Sequence, residues 1–269
     1  MNAATLIEPL IEWCRLAGDA ISEIYQSDFA VEQKHDKSPL TKADLASHDI
    51  LLAKLSAAEP ALPIISEESG LPSFAERSHW RTYWLVDPLD GTREFVNRNG
   101  EFTVNVALIE NHRPILGVVH VPMTGATYWG CEGLGAERRD ADGATTRLSV
   151  SIESESPVRV VGSRSHRGDS LNGYLEQIGD FTFQPIGSSL KFCRIAEGSA
   201  DIYPRLGPTS EWDTAAAQAV VEQAGGQVLK LDGKPLSYNE KEEMLNPHFL
   251  VIGPDDHDWV GIAQNLQDA

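Results

Sequence analysis

A short apolar segment ends abruptly in residues that could bind a metal ion and a phosphate group. The run 83–86 predicts a buried strand, which we expect to end before Pro88 because proline has no N–H to donate to a strand ladder. A short helix beginning near position 92 would direct its free N–H groups to the same point, which suits a bound phosphate. The residues concerned are Asp87, Asp90, Gly91 and Thr92. The alternative is an ordinary turn, since aspartate, proline and glycine are common turn residues.

Three further acidic positions stand at predicted element ends, where they could reach the same site: Asp44, Glu67 and Asp213. Carboxylates without a group of histidines or cysteines are hard oxygen ligands, which favour Mg²⁺ or Mn²⁺ over zinc or copper. Asp213 could instead cap the helix predicted from Thr214, and Asp44 could be an ordinary acid in the first turn of a helix.

The barrier of phosphate-ester hydrolysis favours bound cations over acid and base groups alone. Such a reaction can need an acceleration of up to about 10²¹, whereas one general acid or base supplies roughly 10² to 10⁴. Two cations about 3.5 to 4 Å apart can activate water and stabilise the leaving oxygen. Residues 89–92 also resemble part of the haloacid-dehalogenase phosphatase motif, but Pro88 stands where that motif places its aspartate nucleophile. Direct attack by metal-activated water is therefore favoured over an aspartyl-phosphate intermediate.

Composition limits the partners of the chain. With 22 Lys and Arg against 40 Asp and Glu among 269 residues, the formal net charge is −18, which argues against binding a nucleic-acid polymer through a basic surface. An anionic substrate would need bound cations, which reverse the local sign of a carboxylate-lined pocket. The three cysteines are widely separated, and no apolar run approaches the roughly 18 residues of a membrane span. We therefore expect a cytoplasmic protein without a transmembrane segment.

The order of predicted helices and strands, which must position these residues, differs between the two halves of the chain. The first half opens with helical patterns at residues 6–24 and from Thr41 onward, and continues as short strands joined by turns. This meander predicts a largely antiparallel first sheet. Residues 159–224 alternate strands with helices, which predicts an α/β layer. The polar segment 138–157 lies between the two.

We therefore expect two subdomains that together form the site. The first, residues 1–155, would be an N-terminal α+β subdomain that carries most of the metal ligands. The second, residues 156–269, would be a C-terminal α/β subdomain that carries Asp213 and the residues that select the substrate.

Four ordered segments resemble the inositol-monophosphatase-like superfamily of Mg²⁺-dependent, lithium-sensitive phosphatases: residues 36–44, 66–68, 87–92 and 212–216. Four more resemble the CysQ-type 3'(2'),5'-bisphosphate nucleotidases: residues 98–105, 163–166, 186–193 and 203–205. The resemblance covers nearly the whole chain as far as about Asp256. It implies a mixed α/β class and a layered αβαβα phosphatase fold, with a largely antiparallel first sheet and a smaller second sheet.

By this resemblance, one Mg²⁺ would be held by Glu67, Asp87 and the carbonyl of Leu89. A second would be held by Asp87, Asp90 and Asp213, so that Asp87 bridges the two ions. The resemblance implies two or three Mg²⁺ ions in all, with Mn²⁺ as a substitute and Li⁺ as an inhibitor.

The resemblance also assigns the groups that move the proton. Asp44 and Thr92 would form the pair that takes a proton from the attacking water, and Glu67 would orient water on the metal side. A threonine hydroxyl needs a nearby carboxylate to act as such a relay. The amides of Gly91 and Thr92 would contact the scissile phosphate.

Substrate choice would come from the second half of the chain. The residues that would face the substrate there are Ser163, His166, Ser188, Lys191, Arg205 and Asp213. Alternatives stay open for three of them: Lys191 could lie on a helix surface, His166 could be an ordinary loop histidine, and Arg205 could pair with a neighbouring acid.

The implied reaction removes the 3'-phosphate from 3'-phosphoadenosine 5'-phosphate, with its sulfated relative as a second candidate substrate. In the cell this reaction would clear a by-product of sulfate assimilation. One alternative is an inositol or sugar phosphate phosphatase that uses the same metals. Another is a non-catalytic module that senses the nucleotide. The sequence leaves open a monomer or a homodimer, and contact with the inner face of the cell membrane.

Overall fold

The computed structural model describes residues 2–27, 30–33, 39–164 and 169–267. The helices of these ranges are α1 Ile7–Tyr25, α2 Lys42–Ser56, α3 Phe74–Arg77, α4 Thr92–Val96, α5 Asp169–Ile178, α6 Leu190–Ala196, α7 Ala215–Gln223 and α8 Trp259–Gln267, with a 3₁₀ turn Ala3–Leu6 before α1. The strands are β1 Val31–Gln33, β2 Pro39–Thr41, β3 Ile64–Ser66, β4 Thr82–Asp90, β5 Thr103–Glu110, β6 Arg113–Val121, β7 Ala126–Cys131, β8 Gly135–Arg139, β9 Thr145–Arg147, β10 Val158–Gly162, β11 Phe181–Pro185, β12 Ile202–Arg205, β13 Gln227–Lys230 and β14 Phe249–Ile252. Within these ranges, no helix combines the length and the apolar character needed to cross a bilayer.

The first sheet has seven strands in the order β3-β4-β5-β6-β7-β8-β9. Only β3 and β4 run parallel, and each later strand pairs antiparallel with the one before it. The predicted antiparallel meander is therefore confirmed. The meander extends through β8 and β9 into the polar segment that separates the halves. β9 is an edge strand of the sheet, where charged residues are common.

The second sheet has five strands in the order β11-β10-β12-β14-β13. The first three are parallel, and β14 runs antiparallel to both β12 and β13. The predicted smaller second sheet is confirmed. The division into subdomains at residues 155 and 156 stays a prediction.

Three hydrophobic clusters define the layers. One joins α1 and α2 to the outer face of the first sheet. A second lies between the two sheets and is filled by α6 and α7. The third joins α5 and α8 to the far face of the second sheet. The order helix, sheet, helix, sheet, helix confirms the layered αβαβα fold and a mixed α/β class.

Small residues bring α7 close to the first sheet. A Cβ atom on Gly117 would lie 2.2 Å from the carbonyl oxygen of Ala216, and one on Gly130 would lie 2.5 Å from that of Ala219. The alanine-rich helix thus rests directly on the backbone of β6 and β7. This close packing holds the segment that leads into α7, which includes Asp213, against the end of the first sheet.

One local prediction about β4 is wrong. The strand does not end before Pro88 but continues to Asp90, with a shift of register against β5 between Asp87 and Asp90. A bulge leaves a residue out of the ladder, so the missing N–H of a proline costs no hydrogen bond there. The bulge also re-aims the two aspartates at the end of the strand.

Candidate active site

Strand pairing brings the first carboxylates together. Ser66 pairs with Val86 in the parallel β3–β4 ladder, and the amide of Glu67 donates to the carbonyl of Val86 at 3.1 Å. Because β3 and β4 end at the same edge of the sheet, Glu67 emerges beside Asp87. The two side chains lie within hydrogen-bonding reach of each other.

The turn after β4 depends on Gly91. Its φ of +93° lies in the left-handed region, and a Cβ there would lie 3.1 Å from the carbonyl oxygen of Glu101 and 3.2 Å from the Cβ of Ser188. Only glycine adopts this conformation at little cost. The chain then turns directly into α4, which begins at Thr92 as predicted.

Helix α2 presents Asp44 to Thr92. Asp44 Oδ2 accepts hydrogen bonds from the backbone N–H of Thr41 at 2.8 Å and from its hydroxyl at 2.7 Å, which completes a capping box. The other carboxylate oxygen, Oδ1, accepts from the Thr92 hydroxyl at 3.1 Å. Asp44 is thus both a capping acid and the partner of Thr92. A buried hydrogen bond of 2.7 Å from Ser47 to the carbonyl of Pro88 ties α2 to the bulge of β4.

All the predicted metal ligands line one cavity of about 430 Å³. They are Glu67, Asp87, Leu89, Asp90 and Asp213. Gly91 and Thr92 line the same cavity, and the Thr92 hydroxyl lies 3.4 Å from the Leu89 carbonyl oxygen. Asp213 stands just before α7, and its carboxylate accepts from the backbone N–H of Ser210 at 2.9 Å rather than capping that helix.

The carboxylates of this cavity oppose one another electrostatically. Burial raises the pKa of Asp87 well above its ordinary value, and the charges of Glu67, Asp90 and Asp213 raise it further. Burial likewise raises the pKa of Asp213, and Asp90 and Glu67 add to the effect. A bound cation would offset both the loss of hydration and the mutual repulsion.

The fit to a metal ion rests on the chemistry of these donors. In the described part of the chain, no group of three or more His, Cys, Asp or Glu side chains already has the arrangement of a metal site. The donors of the cavity are all oxygens, and a hard divalent cation such as Mg²⁺ takes oxygen ligands while retaining several waters. The donor set therefore fits Mg²⁺ or Mn²⁺ and fits zinc poorly.

A second cavity of about 130 Å³ adjoins the first and shares seven lining residues with it: Asp90, Gly91, Arg93, Glu94, Arg205, Thr209 and Asp213. Four cationic residues line it: Arg93, Arg164, Lys191 and Arg205. Of the predicted substrate residues, it contains Ser163, Ser188, Lys191, Arg205 and Asp213. His166 lies outside the described residues.

Lys191 does not lie on the helix surface, so that alternative is wrong. Its side chain is 5% exposed, and Nζ donates to the carbonyl oxygens of Ser188 at 2.6 Å and Ile186 at 3.3 Å. Burial lowers the pKa of Lys191 to about 8, with a smaller contribution from Arg205, while Asp90 partly opposes the change.

Arg205 is positioned by neutral oxygens. Its guanidinium donates to Ser163 Oγ at 2.7 Å, to the Pro208 carbonyl at 2.6 Å and to the hydroxyl of Thr209. Among the described residues, these hydrogen bonds replace the alternative pairing with a neighbouring acid. Ser163 and Arg205, which are 42 positions apart in the sequence, therefore belong to one wall of the second cavity.

Three buried polar residues of the site were not predicted: Thr103, Asn105 and Ser189. Thr103 and Asn105 lie opposite Asp90 and Asp87 in the β4–β5 ladder. The available signal was an asparagine inside the otherwise apolar run of β5, since a strand buried on both faces rarely carries an amide without a partner. The residue type of Ser189 carried no such signal, because serine is common before a helix, although Ser189 lies in the segment 186–193 that resembles the nucleotidases.

Comparisons with known proteins point to one family. Residues 2–258 match the inositol monophosphatase family. The chain is 46% identical over 248 residues to the 3'(2'),5'-bisphosphate nucleotidase CysQ of Salmonella typhimurium, and 45% identical over 248 residues to that of Escherichia coli K12. In both cases the match covers 91% of this chain and 99% of the relative.

A solved structure leads to the same family. The crystal structure of CysQ from Bacteroides thetaiotaomicron, described as a bacterial member of the inositol monophosphatase family, superposes with a TM-score of 0.79 at 38% identity. The match covers 91% of this chain and 95% of that one. The fold, the length of the match and the identity to these relatives agree, and the chain belongs to the inositol monophosphatase family.

Proposed function

We propose that this protein is a Mg²⁺-dependent phosphatase that removes the 3'-phosphate of 3'-phosphoadenosine 5'-phosphate, leaving the 5'-phosphate in place. The proposal is supported most by the pair of adjoining cavities, one acidic and one rich in cations. A substrate with two phosphate groups matches such a pair. The names of the curated relatives, which are 3'(2'),5'-bisphosphate nucleotidases, support the same substrate class.

The charges of the two cavities support different tasks. The larger cavity is lined by five carboxylates, from Glu67, Asp87, Asp90, Glu94 and Asp213, against the two guanidinium groups of Arg93 and Arg205. Such a surface repels a phosphate until cations are bound. The smaller cavity is lined by four cationic groups and by three carboxylates, from Asp90, Glu94 and Asp213. One of the four cations, Arg164, pairs with Glu101 at 2.8 Å. The smaller cavity would hold the phosphate that is retained.

Mg²⁺ would be held by Glu67, Asp87, Asp90, Asp213 and the Leu89 carbonyl, and would supply a lowered pKa of bound water and compensation of charge on the phosphate. We propose two or three ions, with Mn²⁺ as a substitute and Li⁺ as an inhibitor.

The chain itself would direct the proton of the attacking water. The Thr92 hydroxyl donates its own hydrogen to Asp44 Oδ1 at 3.1 Å, so its oxygen lone pairs remain able to accept a hydrogen bond from water. Asp44 is held in place through its other oxygen by Thr41. The Thr92–Asp44 pair would therefore accept the proton as the oxygen of water approaches phosphorus.

The sulfated relative of the substrate differs in its 5'-group and would use the same cavities. The rival substrate class, an inositol or sugar monophosphate, would leave the cationic cavity without a phosphate. The rival from another class, a nucleotide sensor, would not require the Asp44–Thr92 pair. A cytoplasmic location, a monomer or homodimer, and contact with the inner face of the cell membrane stay predictions.

The deciding experiment compares kcat/KM for phosphate release from 3'-phosphoadenosine 5'-phosphate and from inositol 1-phosphate in the presence of Mg²⁺. We expect a large preference for the nucleotide. A preference for inositol 1-phosphate would keep the metal chemistry but refute the proposed specificity. Nucleotide binding without release of phosphate from either compound would favour the sensor.

A further inference from the structure

We propose that Thr103 and Asn105 are positioning residues that couple the substrate cavity to the metal ligand Asp90 through one continuous chain of hydrogen bonds, which is buried at its centre and half-buried at its two ends. The inference rests on the proposed function, because it gives Asp90 the role of a metal ligand. It extends that function by making metal affinity depend on groups that touch neither the metal nor the phosphate.

The chain of hydrogen bonds begins at the substrate cavity and ends at two acidic residues. Ser188 Oγ lies 2.6 Å from Thr103 Oγ1, and Thr103 Oγ1 lies 3.0 Å from Asn105 Oδ1. Asn105 Nδ2 lies 2.9 Å from Ser189 Oγ and 3.4 Å from Asp90 Oδ2. Ser189 Oγ in turn lies 2.9 Å from Asp90 Oδ2 and 2.7 Å from the carbonyl oxygen of Asp213.

The direction of these hydrogen bonds follows from the groups that can donate. Asp90, as a carboxylate, only accepts, so the amide nitrogen of Asn105 must face it as a donor. Ser189 has a single hydroxyl hydrogen, which is shared between Asp90 Oδ2 at 2.9 Å and the carbonyl oxygen of Asp213 at 2.7 Å. The amide oxygen of Asn105 then points away and accepts from the Thr103 hydroxyl. Thr103 has no second hydrogen, so Ser188 must donate to it. The orientation of the Asn105 amide is thereby set from both ends.

Burial gives this chain its strength. Thr103 is fully buried, and Asn105 and Ser189 are each 1% exposed, so bulk water cannot replace a lost partner. A buried donor or acceptor that loses its partner bears the full cost of desolvation. The loss of one hydrogen bond in this series would therefore alter the others, and a change at Ser188 would alter the hydrogen bonds of Asp90.

The backbone at the substrate end supports a functional rather than a merely structural role. Ser188 has φ of +55°, a left-handed conformation that is uncommon for serine. Its Oγ accepts from the amide of Ser189 at 2.6 Å as well as contacting Thr103. Strained residues persist where their surroundings hold them, and they concentrate at ligand sites. Here the strain places one hydroxyl at both the substrate cavity and the buried chain.

The test removes the hydroxyl of Thr103 from the hydrogen-bond chain and keeps the shape of its side chain. Thr103→Val should weaken Mn²⁺ binding by roughly 10-fold, the lower end of the effect of removing a direct partner of a metal ligand, because Thr103 acts on Asp90 only through Asn105. Thr103→Ser keeps the hydroxyl and should bind Mn²⁺ like the wild type. Binding is measured by titrating free Mn²⁺ by electron paramagnetic resonance, and stability by urea unfolding without metal.

Thr127→Val is the matched control. Thr127 is also a buried threonine of the first sheet, and its hydroxyl lies 2.8 Å from Nδ1 of His120. Its replacement should lower the stability but leave the Mn²⁺ affinity unchanged. If Thr103→Val binds Mn²⁺ as tightly as the wild type, Thr103 has only a structural role and the proposal is refuted.

A second variant removes the hydroxyl at the substrate end of the hydrogen-bond chain. Ser188→Ala should also weaken Mn²⁺ binding, although Ser188 is not a proposed ligand, and its effect should not add to that of Thr103→Val. If Thr103→Val fails to fold, unchanged Mn²⁺ affinity in Ser188→Ala refutes the coupling. Wild-type protein that binds Mn²⁺ but releases no phosphate would refute the proposed function alone, whereas wild-type protein that binds no Mn²⁺ would refute both.

Discussion

Replacing the buried Lys191 by methionine separates substrate recognition from stability. Methionine has a similar length and no charge, so Lys191→Met removes the ammonium group that lies between the carbonyl oxygens of Ile186 and Ser188. That group also lies 5.4 Å from the centre of the Tyr203 ring. We expect the variant to fold and to retain metal binding, but to lose its preference for a substrate with a second phosphate.

The size of the loss follows from the burial of Lys191. A hydrogen bond to a charged group contributes about 1.5 to 3 kcal/mol, and the full range applies to a side chain that is only 5% exposed. Since about 1.4 kcal/mol corresponds to a tenfold change, kcat/KM for the bisphosphate nucleotide should fall roughly 10- to 150-fold. The value for inositol 1-phosphate should change much less, because it has no second phosphate for the cationic cavity.

The wild-type enzyme should lose the same interaction at high pH. Because burial holds the pKa of Lys191 to about 8, the side chain is charged below that pH and neutral above it. KM for the nucleotide should therefore rise as pH increases through about 8. In Lys191→Met this rise should be absent.

A rise in pH should weaken nucleotide binding but increase the stability of the folded protein. The folded pKa of about 8 lies below the ordinary 10.5, so between these values the unfolded chain binds more protons than the folded protein. The free energy of unfolding contributed by this group therefore rises with pH across that window. Since one unit of pKa difference corresponds to about 1.36 kcal/mol, the rise should be on the order of a few kcal/mol, and Lys191→Met should lack it.

The assay is steady-state phosphate release from both substrates between pH 6.5 and about 9.5, together with urea unfolding of both proteins over the same range and up to about 10.5. Equal losses for the nucleotide and for inositol 1-phosphate would mean that Lys191 does not bind the retained phosphate. Parallel stability curves for the two proteins would mean that its pKa is not lowered by burial.

Three further predictions follow from the site and the packing. Thr92→Ala should lower kcat by roughly 10² to 10⁴ while retaining metal and substrate binding, and Thr92→Ser should restore turnover; an unchanged kcat would remove the hydroxyl from the reaction. Asp90→Asn should move the Mg²⁺ titration of activity to higher concentrations, and an unaltered titration would contradict its role as a ligand. Gly117→Ala should destabilise the fold by about 1 to 3 kcal/mol or more, since the new Cβ would lie 2.2 Å from the carbonyl oxygen of Ala216. Gly70→Ala, with no heavy atom within 4 Å of the new Cβ, is the control for urea unfolding, and equal midpoints would contradict the close packing of α7.

The residue types alone determined the chemistry that this chain can support. Asp87 directly follows the apolar run 83–86, Glu67 comes two residues after Ile65, and Asp90 comes three residues after Asp87. A glycine at position 91 permits a left-handed turn into a helix. These are local features, and periodicity of side chains within a few residues is enough to predict them. The antiparallel meander and the alternating second half were predictable for the same reason.

Tertiary structure decided which of these residues meet. Asp213 reaches the first sheet because α7 packs on the glycines of β6 and β7, and Lys191 becomes buried because α6 lies between the two sheets. The contact between Asn105 and Ser189 joins positions 84 residues apart. Such contacts depend on strand register and layer packing, which arise from the whole chain rather than from any segment. A sequence pattern therefore predicts the acidic residues and the glycine turn of this site. The buried polar residues around them, and the distances, burial and charge states of the site, are set only when the two sheets close around α6 and α7.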